Sequence, residues 1–224
     1  MLLNPSLLPS WLHLLLALMM CASVILASRW ADWPALWRVP SRLHLLMGSV
    51  AFCVALWLLS ARVGDGIRIH LLGMTSVTLL LGWRFAILSG SLALALHLLL
   101  IGAPLAALPA AWMLNVGVPV SVSRGCLALL PRRQNLFLYT LGGGFAGGMA
   151  SVIAVASTSL VLLWMAGQSG LVSEALNAFP FLALLLFPEG FINGTLVTAA
   201  AVFFPGAVKT FDEHFYFGEG EDEG

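Results

Sequence analysis

Seven apolar stretches, roughly 11–28, 43–61, 69–82, 85–102, 108–130, 136–166 and 177–204, fill most of this chain and leave only short polar connections between them. A helix needs about 20 apolar residues to cross the hydrocarbon core of a bilayer, and somewhat fewer where charged ends reach back to the interface. Charged residues make up 9% of the chain, against about 25% in a soluble domain. The chain is an integral membrane protein, expected to fold as an all-α bundle of about seven transmembrane helices. Six is the alternative, because the third stretch is short and only Gly82-Trp83-Arg84 divides it from the fourth. Those two stretches form either a tight hairpin or a re-entrant pair.

Lys and Arg in short connections set orientation. With the 29–42 connection in the cytoplasm, that side collects Arg29, Arg38, Arg42, Arg84, Arg124, Arg132, Arg133 and Lys209, while the other holds only Arg62 and Arg68. The amino terminus then lies outside and the acidic carboxyl terminus in the cytoplasm. Residues 1–10 contain no Lys or Arg, so the first stretch reads as a retained span rather than a cleaved signal. We divide the chain into a single transmembrane domain, 1–208, and a short acidic tail, 209–224, whose end has no apolar period and is expected to be disordered. Formal net charge is zero and the basic residues are scattered, which leaves no nucleic-acid footprint and makes the lipid bilayer the main partner of the surface. Cys21, Cys53 and Cys126 are odd in number and widely spaced in apolar context. They read as core filler rather than a disulfide framework.

Proline punctuates the apolar stretches. Pro109 and Pro119 flank AWMLNVGV, and Pro188 interrupts the last stretch; each removes a backbone donor. In lipid a freed carbonyl persists only where protein or a cavity satisfies it, so the fifth and seventh spans are expected to face the bundle interior. The segment LGGGFAGGMA, 141–150, holds two overlapping GxxxG patterns, Gly143 with Gly147 and Gly144 with Gly148. Small residues at this spacing let helix backbones approach closely. Packing within the bundle is the favoured role, and a docking face for a partner subunit is the alternative.

Ionisable groups inside lipid are costly and mark functional candidates. They are His13, His44, His70, His97 and Glu189, with Asn115 and Asn193 as uncharged polar companions. His44, close to Arg42 at a span entrance, can reach the headgroups, a structural role. His97 lies mid-span in LALALHLLL without a neighbouring acid and is expected to hydrogen-bond a carbonyl on an adjacent helix. His70 sits at the outer end of the third span, and Gly73 one turn later admits a second backbone. Imidazole is a common ligand for nickel, copper, zinc and cobalt, and its neutral form can be buried without a counter-charge. Two readings are open for it, a ligand role and a capped interfacial histidine. Glu189 must be paired or protonated if buried: it pairs with an arginine or the broken backbone near Pro188, or it belongs to an ion path.

The segment IHLLGMTSVTLLLGWRFAILSGSLALALHLLLIGAPLAALPAAWMLNVGVPV resembles the core of the cobalt and nickel permease subunits CbiM and NikM, the substrate-binding components of energy-coupling-factor transporters. His70, Gly73, Gly82-Trp83 and Asn115-Val116-Gly117 follow in the family's order, and FPEGFINGTL resembles its last-helix motif. The resemblance is strongest over 68–205. It implies a metal-uptake subunit of the bacterial inner membrane, working with an energy-coupling transmembrane subunit and cytoplasmic ATPases. No permanently bound cofactor is implied, and Ni²⁺ or Co²⁺ is the transported ligand. The family's metal site resembles a clip in which the terminal amine, the next amide and that residue's histidine side chain join a helix histidine. Here His70 corresponds to the helix ligand, while Leu2 stands where the histidine belongs. The Met1 amine, Asn4 or His13 would then complete the coordination. His97 stands near the family's glutamine, and His70 is expected to be the only histidine that contacts the ligand. Asn115, Glu189, Gly73, Gly143 and Gly147 take structural or coupling roles. No GxxxxGK[ST] loop is present, so ATP is hydrolysed by separate subunits and this chain is not an enzyme. A membrane assembly or scaffold subunit, or the same scaffold with a non-metal substrate, are the competing readings. An intramembrane hydrolase finds no GxSxG elbow to support it.

Overall fold

Lipid leaves a backbone no water to bond, so the apolar stretches satisfy their N–H and C=O groups internally as helices. The computed structural model describes residues 2–38, 40–63, 67–131, 135–177 and 179–211. In chain order they form α1 (Ser10–Trp30), α2 (Trp33–Arg38), α3 (Pro40–Leu58), a small antiparallel hairpin of β1 (Ala61–Val63) and β2 (Ile67–Ile69), α4 (Met74–Leu100), α5 (Leu108–Trp112), α6 (Val118–Leu129), α7 (Gly147–Met165), α8 (Ser169–Asn177) and α9 (Phe179–Phe203). A π-helical turn, Met113–Gly117, joins α5 to α6, and a longer one, Leu138–Ala146, leads into α7. Pro119 has no N–H to offer the carbonyl four residues earlier, and the wider π register begins just ahead of it. Among the described residues five helical rods are long and apolar enough to cross a membrane: Ser10–Trp30, Met74–Leu100, Leu105–Leu129, Leu138–Met165 and Leu182–Phe203. Arg42–Leu58 is a shorter apolar helix.

The rod Met74–Leu100 is two arms. Gly82 has φ 76° and ψ 159°, a conformation no helix holds and one that glycine adopts without strain. The Met74 side chain lies 2.8 Å from where a Cβ on Gly90 would stand, whereas sixteen residues of straight helix would hold the two positions about 24 Å apart. The chain therefore folds back at Gly82, and arms 74–81 and 83–100 run antiparallel. This is the tight hairpin expected at Gly82-Trp83-Arg84. The long arm alone, at about 27 Å, spans the hydrocarbon core.

The short arm is the centre of the molecule: every residue from Leu72 to Leu81 is buried. A half-length helix inside a bundle leaves orphan backbone groups at both ends. Its carbonyl end is closed by the chain's own later residues, since Lys209 N–H donates to the Leu80 carbonyl at 2.8 Å and Thr210 Oγ1 donates to the Leu79 carbonyl at 2.6 Å. Tyr139 Oη lies 2.7 Å from Thr210 Oγ1, and Phe211 packs against the Tyr139 ring. The bundle thus runs on through Phe211, three residues past the boundary drawn at 208, because these residues cap the short arm. Residues 212–224 of the tail lie outside the described residues.

Both glycine stripes serve this packing. A Cβ on Gly143 would stand 3.2 Å from Leu79 and one on Gly147 3.3 Å from Thr75, so that stripe faces the short arm. A Cβ on Gly144 would meet the Gly194 Cα at 3.1 Å and one on Gly148 the Gly190 Cα at 3.3 Å, which makes the crossing with α9 a glycine-on-glycine contact. The bundle-packing role expected for the 141–150 glycines is the one observed. Beside it, Ser123 Oγ donates to Thr75 Oγ1 at 2.9 Å, and Thr75 Oγ1 lies 3.1 Å from Ser151 Oγ, stitching the short arm to α6 and α7. The expectation for the cysteines is met only at Cys53: it is buried with its thiol 3.6 Å from the Met74 sulfur, while Cys126 is half-buried and Cys21 is exposed on α1.

Candidate functional site

The amino end of the short arm needs partners as much as its carboxyl end does. Two side chains of α9 supply them. Glu189 accepts from Leu72 N–H at 2.6 Å and Gly73 N–H at 2.8 Å, and Asn193 Oδ1 accepts from Ser76 N–H at 2.7 Å. Asn193 Nδ2 donates back to Glu189 Oε1 at 2.7 Å, so carboxylate and amide hold one another and three helix-start donors. Glu189 is 1% exposed, and in so dry a site an unpartnered carboxylate would be prohibitive. Of the alternatives open in the sequence, backbone pairing is the one realised, though the backbone belongs to the residues before α4 rather than to the break at Pro188.

The segment so clamped carries His70. Gly73 turns the chain into the short arm with φ 68°, and Leu56 and Phe52 of α3 approach to 2.7 and 2.8 Å of the Cβ it lacks. Only glycine meets both demands. The next residue back, Leu72, gives its carbonyl to Trp57 Nε1 at 3.0 Å. His70 Nδ1 lies 2.9 Å from the Leu71 carbonyl. A carbonyl only accepts, so in the tautomer that makes this bond Nδ1 carries the proton and Nε2 the lone pair, one of the two forms through which an imidazole binds metal.

The hairpin brings the long arm's histidine to the same place. The His70 and His97 ring centroids are 6.2 Å apart, and Trp57 lies 6.0 Å from each. Both imidazoles are buried. A small cavity of about 40 Å³ borders His70 and is lined also by Ile69, Leu72, Val152, Leu182 and Glu189, enough for one water-sized guest. Among the described residues no group of three or more His, Cys, Asp or Glu is placed to hold a metal.

The other candidates have contacts of their own. His44 is exposed on α3. His13 Nδ1 lies 3.3 Å from the Pro9 carbonyl, and its buried Nε2 has no partner among the described residues. Asn115 Nδ2 donates to the Ala111 carbonyl at 2.8 Å, inside the π turn. Met1 lies outside the described residues; Leu3 is 1% exposed, in the buried cluster that also holds Leu72. Sequence reasoning missed Trp57 and the pairing of His97 with His70. The signal for the second was the hairpin itself: a reversal at Gly82 returns the end of the long arm to the level of residue 70.

Residues 3–207 match the family model CbiM, described as the cobalt uptake substrate-specific transmembrane region. The chain belongs to this family. Its fold is also that of two crystal structures, a truncated transition metal transporter and a transition metal transporter, each at TM-score 0.71 and 17% identity over 91% of this chain, covering 99% and 93% of theirs. No curated protein matches the chain in sequence. As a CbiM-family member the chain is a multi-pass, helical membrane component of metal uptake.

Proposed function

We propose that the chain is the substrate-binding membrane subunit of an ATP-driven, energy-coupling-factor type importer of the bacterial inner membrane, and that its substrate is Ni²⁺ or Co²⁺. It captures the ion at the His70 end, which faces outward, while a coupling transmembrane subunit and separate ATPases supply the energy. The chain crosses the bilayer seven times in this reading, with the Glu189-clamped segment and short arm as the third crossing.

The observation that carries the proposal is the pair His70 and His97, 6.2 Å between ring centres. Two imidazoles on opposite sides of one ion would stand about 6.4 Å apart, from a metal–nitrogen bond of about 2.0 Å and about 1.2 Å from nitrogen to ring centre on each side. In this reading His97 supplies the second imidazole that Leu2 denies to the amino-terminal clip, and the Met1 amine is the further donor that the family resemblance implies. Neutral nitrogen donors suit nickel and cobalt and need no buried counter-charge. The test is calorimetric titration of the detergent-purified protein with NiCl₂ and CoCl₂. Wild type binds at least one of them, and His70→Ala lowers that affinity by more than about 100-fold, beyond the 10–100-fold that loss of a ligand's supporting partner produces. Wild type that binds neither metal, or His70→Ala that binds as wild type does, removes the metal reading.

A further inference from the structure

At the Gly82 end of the short arm the bundle opens into a cavity of about 330 Å³. Among the described residues Arg84, Arg124 and Lys209 line it, with Asp32 as the one carboxylate. Both guanidinium groups lie over one ring, that of Trp83, at 5.4 and 5.0 Å from its centroid, which orients them without neutralising them. The Asp32 carboxylate is engaged elsewhere: it accepts from Ala35 N–H at 3.2 Å at the start of α2. No ion pair joins it to the three cations among the described residues. Among the described residues, three cations against one carboxylate give the cavity lining a formal charge of +2, and Arg42 borders a smaller pocket that shares Asp32 and Lys209.

The surroundings are those of a bilayer interface. Trp30 packs edge-on against Trp83, and Trp33 against Phe85, while Trp30 and Trp33 are 55% and 42% exposed. Tryptophan gathers at headgroup depth. A basic cavity between helices at that depth, lined also by the Trp83 and Phe85 rings, matches the phosphate of an anionic lipid, whose oxygens an arginine fork engages two at a time.

We propose that this cavity binds the phosphate of an anionic phospholipid headgroup, with Arg84, Arg124 and Lys209 as its ligands. Lys209 also donates its backbone N–H to the short arm, so an occupied cavity holds residues 209–211 in place and stabilises the fold. The proposal is independent of the metal reading, and its test uses no metal.

The full chain is delipidated in dodecyl maltoside and its thermal midpoint followed during titration with phosphatidylglycerol, phosphatidylcholine or inorganic phosphate. Phosphatidylglycerol raises the midpoint by about 4 °C at saturation, and phosphatidylcholine and phosphate leave it within about 1 °C. In Arg84→Gln/Arg124→Gln the shift is lost. Lys209→Gln, which keeps the backbone bond, reduces it by about half and serves as the test if the double variant does not fold. An equal response to phosphatidylcholine, or a full response in the charge variants, overturns the site. A full response to inorganic phosphate overturns the lipid as its source, and no response to phosphatidylglycerol overturns the proposal and leaves the cations to an acidic protein surface.

Discussion

Glu189 is one residue with three obligations, and its replacement separates them. Alanine there strands the Leu72 and Gly73 N–H groups in a dry interior, at about 1–3 kcal/mol for each unsatisfied donor, though partners found in the unfolded membrane state pull such values down. Glu189→Ala is therefore expected to destabilise by about 2–3 kcal/mol, read as a lower thermal midpoint in detergent. Glu189→Gln keeps one acceptor oxygen, so it should fall between. Both variants should also weaken metal binding, because they free the segment that aims His70. On the pairing proposed above, His97→Ala should weaken binding by about 10-fold or more while His44→Ala spares it, as calorimetry will read; His97→Ala that binds as wild type does would leave His70 as the only histidine that contacts the ligand. The sequence marked Glu189 and His70 as candidates from the expense of ionisable groups in lipid. It left their partners open, since those lie 116 residues apart for Gly73 and Glu189 and only the folded chain brings them together.

At the scale of elements, the short arm explains features that stand apart along the chain. It has glycines on its flank, Gly143 and Gly147, and caps from α9 and from residues 209–210, because a half-helix in a membrane cannot close its own ends. Gly148→Leu would drive a side chain into the Gly190 Cα, 3.3 Å from the glycine's missing Cβ, and should abolish folded, monodisperse protein on size exclusion. Gly125→Leu on α6, with nothing within 4 Å of a Cβ, should behave as wild type. Thr210→Val removes the hydroxyl that reaches Leu79 and should lower the thermal midpoint by a few degrees, about what a loss on the order of 1 kcal/mol gives a chain of this size. The helices and the Gly82 reversal were legible because apolar length and a glycine break are local signals. The π turns were not, since proline spacing announces a perturbed helix without stating how the register adapts. Nor did apolar length announce the cap at 209–211, which the sequence groups with the acidic tail.

For the whole molecule, the basic residues that line the cavities and the pair His70 and His97 lie at opposite ends of the short arm. Asp32, Arg42, Arg84, Arg124 and Lys209 line adjoining cavities at the Gly82 end, while His70 precedes its amino end next to the β1–β2 hairpin, which carries Arg62 and Arg68. This grouping is the one that positive-inside orientation requires of a chain with its histidines outward. A reporter fused ahead of Met1 would test the orientation at the expense of the proposed amine ligand, so single cysteines are the better probe. On a background with Cys21, Cys53 and Cys126 replaced by alanine, Leu59→Cys stands just after α3 at a position 78% exposed, at the histidine end, and Asp32→Cys stands at the basic end. A membrane-impermeant maleimide added to intact cells should label Leu59→Cys, and label Asp32→Cys only after the membrane is opened. If Asp32→Cys labels in intact cells and Leu59→Cys does not, the bundle is inverted: His70 then faces the cytoplasm, where an importer has no ion to capture, and the uptake direction fails even if the metal binds.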